Sequence, residues 1–155
     1  MDFAEVELDK LISNLSTDVE VLCQEKGLSF QLGQTQDLVV KGDEARLTEL
    51  FMNLLDNAIR YTHAPGTVSL SLRREGQMAV VAITDTGIGI LAEDIPLIFE
   101  RFYRVDKSRS RTEGGSGLGL AICRYIAESH GGKIEVESRV GGGSTFSVWL
   151  PLQPL

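Results

Sequence analysis

Asn53, Asn57 and Tyr61 recur every four residues in the stretch Asn53-Leu54-Leu55-Asp56-Asn57-Ala58-Ile59-Arg60-Tyr61, with Arg60 beside them. At helical spacing such residues stack along one face. Two carboxamides, a guanidinium and a phenol on one ridge can do binding chemistry. Carboxamide oxygens suit a hard cation such as Mg²⁺, which prefers oxygen ligands and keeps several waters. The guanidinium suits phosphate, and the phenol can pack on a base or on the core. Asn is a poor helix former, so two of them in mid-helix argue for a role. Taken alone, the ridge reads equally well as two surface asparagines on an amphipathic helix; the glycine motifs downstream decide against that.

Asp85-Thr86-Gly87-Ile88-Gly89-Ile90 follows directly on an alternating segment. An ionised carboxylate only accepts hydrogen bonds, which suits an exocyclic amine such as the N6 group of adenine. The two glycines allow φ > 0 and a close approach to a ligand. A tight turn needing glycine for geometry alone would look the same. Gly114-Gly115-Ser116-Gly117-Leu118-Gly119-Leu120 runs into an apolar helical segment. Backbone N–H groups at a helix N-terminus, backed by the dipole, make a phosphate site. Leu120 stands where a Rossmann fingerprint needs its last glycine, and no Gly-Lys-Ser/Thr follows as in a Walker A loop. A His-Arg-Asp motif of protein kinases is absent. A flexible linker is the alternative, and Leu118, Leu120 and the apolar helix argue against it. Ahead of this motif Arg101, Arg104, Lys107, Arg109 and Arg111 face Glu100, Asp106 and Glu113, a basic loop in an acidic chain. Such a loop beside a phosphate site reads as a clamp or lid. A solvated surface loop is the alternative, but Phe99, Phe102 and Tyr103 need something to pack on.

The elements that must position these groups follow from periodicity. Residues 5 to 26 form an expected first helix with an apolar stripe of Val6, Leu8, Leu11, Ile12, Leu15, Val19 and Leu22, stopped by Gly27. Strands are expected at 28–32 and 38–41. Asp43 is placed to N-cap the ridge helix, whose Leu47, Leu50, Phe51, Leu54, Leu55 and Ala58 make its buried stripe. Residues 67–72 and 78–83 read as antiparallel neighbours around the Glu75-Gly76-Gln77 loop. Ala92 to Phe99 reads as a short helix limited by Pro96, and residues 100 to 116 as a long loop. Leu118 to His130 is the third helix, with Leu120, Ala121, Ile122, Tyr125 and Ile126 on its apolar side. Strands at 133–137 and 144–150 close the chain. The expected fold is α+β: a two-layer α/β sandwich, a mixed sheet of roughly five strands with three main helices on one face.

Composition narrows the class. The chain has 155 residues, 43% of them apolar and 24% charged, enough for one domain with a proper core. No apolar run reaches the length of a membrane span and the N-terminus is no signal peptide. The net charge of −7 argues against a general nucleic-acid binder. Cys23 and Cys123 have no metal-ligand spacing and read as buried free thiols in a reducing cytoplasm. His63 and His130 are isolated, so no zinc cluster is expected. Most of the sixteen glycines lie beyond residue 86, in clusters.

In this order the motifs resemble the ATP-binding domain of bacterial sensor histidine kinases, in the superfamily shared with gyrase B, Hsp90 and MutL (the Bergerat fold). Asn53 to Tyr61 looks like the N box, Asp85 to Gly89 like the G1 box, Phe99 to Arg104 like the F box and Gly115 to Leu120 like the G2 box. The likeness covers nearly all of residues 1–155, with a lid at about 100–116. It implies ATP and Mg²⁺ as cofactors. Asn57, assisted by Asn53, would hold Mg²⁺ against the phosphates. Arg60 would touch phosphate and Tyr61 would stack near adenine. Asp85 would bind the adenine N6, with Gly87, Gly89 and Ile90 around it and Thr145 close by through water. Tyr103, Arg104 and Lys107 would belong to the lid, and Gly115, Ser116, Gly117, Leu118, Gly119 and Leu120 would wrap the phosphate tail. Asn53, Asn57 and Arg104 would carry catalysis, passing the γ-phosphoryl of ATP to a histidine.

The family's acceptor histidine sits in a two-helix dimerisation domain, within a His-Glu/Asp-x-Arg/Asn-x-Pro type motif. Neither His63 before Ala-Pro-Gly nor His130 before Gly-Gly matches it. The resemblance therefore implies a catalytic domain apart from its phosphoacceptor and sensor domains. Autophosphorylation is not expected of it alone. A mostly monomeric, soluble fragment of a cytoplasmic or inner-membrane-anchored parent is expected, with a response regulator as indirect partner. The lid is expected to be mobile without nucleotide. A hydrolase of the gyrase or Hsp90 kind would place a general-base Glu where Asn53 stands. An anti-sigma-factor-like serine kinase fits poorly with Phe99-Glu100-Arg101-Phe102-Tyr103-Arg104, and a nucleotide-sensing module without transfer stays open.

Overall fold

A computed structural model describes residues 1–101, 103 and 119–153. Along them run β1 (Ala4–Glu7), α1 (Leu8–Lys26), β2 (Ser29–Leu32), β3 (Val39–Gly42), α2 (Glu44–Arg60), β4 (Thr67–Glu75) and β5 (Met78–Asp85). A 3₁₀ turn (Ile95–Leu97), α3 (Gly119–Ser129), β6 (Lys133–Arg139) and β7 (Gly143–Pro151) follow. No helix among the described residues is long and apolar enough to cross a membrane.

Five strands lie side by side in the order β2-β4-β5-β7-β6. The β2–β4 pair is parallel and the others antiparallel, as the expected mixed sheet requires. Alternation along each strand sorts the residues into two faces. Val68, Leu70 and Leu72 of β4, Val81 and Ile83 of β5, and Phe146, Val148 and Leu150 of β7 are buried in the core under α1, α2 and α3. Thr67, Ser69, Ser71, Thr145 and Ser147 fall between them on the outer face and stay half-buried. Gly76 and Gln77 join β4 to β5 as a two-residue turn, with Glu75 opposite Met78. β1 and β3 form a separate antiparallel ribbon, which the sequence reading did not foresee.

α2 lies at the centre of the helical layer, between α1 and α3. Leu47, Leu50, Phe51, Leu54, Leu55, Ala58 and Ile59 are its buried stripe. Asp43 caps it as expected, its Oδ1 accepting from the Arg46 N–H at 3.1 Å and its Oδ2 from the Asp2 N–H at 2.9 Å. Across the layer His130 closes the gap between α3 and α2. Its Nδ1 is 2.8 Å from the Ile126 carbonyl and its Nε2 accepts from the Asp43 N–H at 3.0 Å, with Phe3 stacked on the ring.

Several boundaries differ from the expectation. The first helix starts at Leu8, because Glu5, Val6 and Glu7 pair with Lys41, Val40 and Val39. Leu22 is 38% exposed, and Cys23, one position on, takes the buried place through the Leu15-Val19-Cys23 row. Likewise Tyr125 is 65% exposed and Cys123, Ile126 and Ala127 are the buried residues of α3. Residues 92–99 hold only the 3₁₀ turn, with Pro96 inside it. Both cysteines are buried and free, as expected.

Candidate functional site

The ridge helix ends at Arg60, and Tyr61 is its C-cap. Asn53, Asn57, Arg60 and Tyr61 are all half-buried, and so belong neither to the core stripe nor to open solvent. Arg60 Nη2 stands 3.5 Å from Asp56 Oδ2, one turn back on the helix. The Asn53 side chain hydrogen-bonds the buried Cys123 thiol, which also donates to the Leu50 carbonyl at 3.6 Å. Burial pushes this thiol up to about 12, so it stays protonated at neutral pH.

Asp85 ends β5 on its helix side, in phase with Val81 and Ile83, and is only 7% exposed. Its Oδ1 accepts from the Gly87 N–H at 2.8 Å. Burial raises its carboxyl above the ordinary carboxylate range, while the N–H groups of Gly87 and Ser144 pull the other way. Gly87 is needed for space: a Cβ there would overlap the Tyr61 carbonyl oxygen and crowd Asp85 and Thr62. Gly89 has φ +76, and a Cβ on it would overlap the Arg139 carbonyl. Ile88 N–H donates to the Tyr61 carbonyl at 3.1 Å, and Gly141 N–H donates to the Ile88 carbonyl at 2.9 Å. The loop after Asp85 is thus wedged between the end of α2 and the β6–β7 hairpin. That wedge brings Asp85 and the Asn-Arg-Tyr ridge to one end of the sheet.

Thr145 needs correction. It pairs with Thr84, and their hydroxyl oxygens are 3.0 Å apart on the outer face of the sheet. The residue opposite Asp85, and so on its side, is Ser144, which is 7% exposed. Ser144 Oγ is 2.7 Å from Ser138 Oγ, and Ser138 Oγ accepts from the Ile90 N–H at 2.8 Å. Ser138 and Ser144 were missed; the only signal was strand phase counted back from Phe146 and Val148. The Tyr103 hydroxyl donates to Asp94, another partner the sequence did not suggest. Gly119 and Leu120 open α3, with Leu120 packed on the core and, among the described residues, nothing within 4 Å of a Cβ placed on Gly119. Arg104, Lys107, Gly115, Ser116, Gly117 and Leu118, and with them most of the expected lid, lie outside the described residues. No group of three or more His, Cys, Asp or Glu suited to a metal occurs among the described residues.

Residues 42–154 match the family model of the histidine kinase-, DNA gyrase B- and HSP90-like ATPases. The chain belongs to this family. Within it, this ATPase-family chain is 41% identical over 150 residues to the sensor-like histidine kinase SenX3 of Mycobacterium tuberculosis, a match covering 97% of the chain and 37% of SenX3. The catalytic domain of histidine kinase ThkA superposes with a TM-score of 0.85 at 30% identity, covering 99% of this chain and all of that one. ThkA in complex with the response regulator protein TrrA matches with a TM-score of 0.80 at 28% identity, over 98% of this chain and 42% of that one. The chain spans about a fifth to two fifths of the length of the curated relatives it matches. The expected fold and the expected kinship are both met, and membership of an ATPase family implies ATP binding.

Proposed function

We propose that this chain is the Mg-ATP-binding catalytic unit of a two-component sensor histidine kinase, passing the γ-phosphoryl of ATP to a histidine on a separate dimerisation domain. The carrying observation is the buried Asp85 carboxylate, held by two backbone N–H groups at the foot of the Asn-Arg-Tyr ridge. A fixed, largely buried, acceptor-only group suits an exocyclic amine, and the adenine N6 supplies one. Ser144, rather than Thr145, is the hydroxyl suited to assist it, and Gly87, Gly89 and Ile90 form the wall of the base recess. Tyr61 is assigned to stack near the base and Arg60 to touch phosphate.

The donor set on α2 fits a hard cation. Asn53 and Asn57 offer carboxamide oxygens one turn apart. Asn57 would be the principal ligand, with Asn53 steadied from behind by Cys123. Mg²⁺ bound there would neutralise phosphate charge, which is the larger part of phosphoryl-transfer catalysis. Tyr103, Arg104 and Lys107 are assigned to the phosphate lid, and the stretch from Gly115 through Ser116, Gly117 and Leu118 to Gly119 and Leu120 to the phosphate tail, at the start of α3. Asn53 cannot take a proton from water, which favours transfer to a protein over hydrolysis. A response regulator is the proposed downstream partner, in line with the ThkA complex.

The test is calorimetric titration with a non-hydrolysable ATP analogue, with and without Mg²⁺. Binding by the unmodified chain should depend on Mg²⁺, and Asn57→Ala should remove that dependence at a cost of roughly tenfold or more in affinity. An unmodified chain that ignores the analogue, or an Asn57→Ala chain with intact Mg²⁺ dependence, would sink the reading.

A further inference from the structure

A helix leaves its last carbonyls without intrahelical partners, and those of α2 sit beside the candidate site. Each has a donor. The Asn57 carbonyl accepts from Tyr61 N–H at 3.1 Å and the Ala58 carbonyl from Thr62 Oγ1 at 2.7 Å. The Tyr61 carbonyl accepts from Ile88 N–H at 3.1 Å. Ile59 and Arg60 are supplied from another helix: Lys26 Nζ donates to the Ile59 carbonyl at 2.5 Å and to the Arg60 carbonyl at 2.9 Å. Lys26 is itself in the last turn of α1, which Gly27 ends. The end of α1 therefore reaches the end of α2, and the Lys26 ammonium stands at the negative pole of α2. Thr62 N–H reaches the Ile59 carbonyl at 3.4 Å, so Lys26 is the closer donor to it.

We infer that Lys26 is a positioning residue for nucleotide binding, acting through α2 on Arg60 and Tyr61. The inference rests on the nucleotide reading given above. Its ammonium fixes the backbone from which both side chains depart and whose next carbonyl receives the loop from Asp85. Without that ammonium the last turn of α2 loses a charged donor to two of its carbonyls, and the Arg60 guanidinium loses its fixed origin. Lys26 itself touches no reacting group in this assignment, because both its hydrogen bonds go to protein carbonyls.

The experiment is the same calorimetric titration, with Mg²⁺ and a non-hydrolysable ATP analogue, on the unmodified chain, Lys26→Met and Lys26→Arg. Lys26→Met should raise Kd about three- to tenfold and Lys26→Arg should restore most of the affinity. Lys26→Gln, keeping an uncharged and shorter NH₂ donor, should fall between them. A purely stabilising role would weaken binding by the same factor in any background. Acting through Arg60 and Tyr61, Lys26→Met should instead lose most of its effect when Arg60→Met and Tyr61→Leu are already in place. Unchanged Kd in Lys26→Met, or equal losses in both backgrounds, overturns the inference and leaves the nucleotide reading intact. Absence of binding by the unmodified chain overturns that reading, and the inference with it.

Discussion

Burial at the end of β5 disfavours the ionised form of Asp85, the N–H groups of Gly87 and Ser144 favour it, and burial prevails. A carboxyl raised above its unfolded value gives stability that is complete below the ordinary carboxylate range, near 3.8, and is lost as pH climbs through the raised value. Asp85→Asn does not titrate, so it should escape that loss. Urea unfolding between about pH 4 and 7 should show the unmodified chain declining relative to the variant, which should be the more stable at neutral pH. The same variant should bind an ATP analogue at least tenfold more weakly, because a carboxamide turns a donor towards the amine it must accept from. Equal pH profiles for the two proteins would contradict the account. The chemistry of Asp85 was legible because its type, the strand before it and the glycines after it all agree. The choice between Ser144 and Thr145 was not. A strand has period two, and Gly141, Gly142 and Gly143 leave its phase unmarked at the start.

Among elements, α2 was legible nearly to the residue because stripe, N-cap and ridge share one helical period. α1 was less so: Val6 happens to lie at helical spacing from the residues after it, yet it is the buried centre of β1. Its pairing with Val40 is a long-range contact that no local pattern reports. Lys26 escaped notice for the same reason, since a lysine beside a terminal glycine marks one helix end and not two. The N-cap carries its own prediction. Asp43 accepts two N–H groups, and its carboxyl lies below the ordinary range because of them. Asp43→Ala should lower the unfolding midpoint by about 2–4 °C. Asp43→Asn should recover most of that in a thermal melt. Because the carboxyl is lowered, this contribution is present above the ordinary carboxylate range and fades as pH falls, opposite in sign to Asp85.

At the scale of the molecule, layered sheet and helices followed from alternating strands and three apolar stripes, whereas strand order did not, being set by pairings far apart in sequence. The described residues supply the buried Asp85 and the Asn ridge proposed to hold nucleotide; His130 is buried between Ile126 and Asp43, and neither it nor His63 stands in the sequence motif of a phosphoacceptor. The chain mixed with radiolabelled ATP should therefore gain no acid-labile phosphate. Added to a separate histidine-bearing dimerisation domain from a related kinase, it should label that domain in trans, and Asn57→Ala should cut the label by about a hundredfold or more. Labelling of the chain itself would contradict this division of labour. The buried carboxylate at the end of β5 has one more consequence, for anyone evolving this domain. If Asp85→Asn is the more stable protein, as predicted above, a library sorted only for heat resistance or solubility would reward replacement of Asp85. The winners would be sturdy and blind to nucleotide, so a selection on this scaffold has to keep ligand capture in the screen.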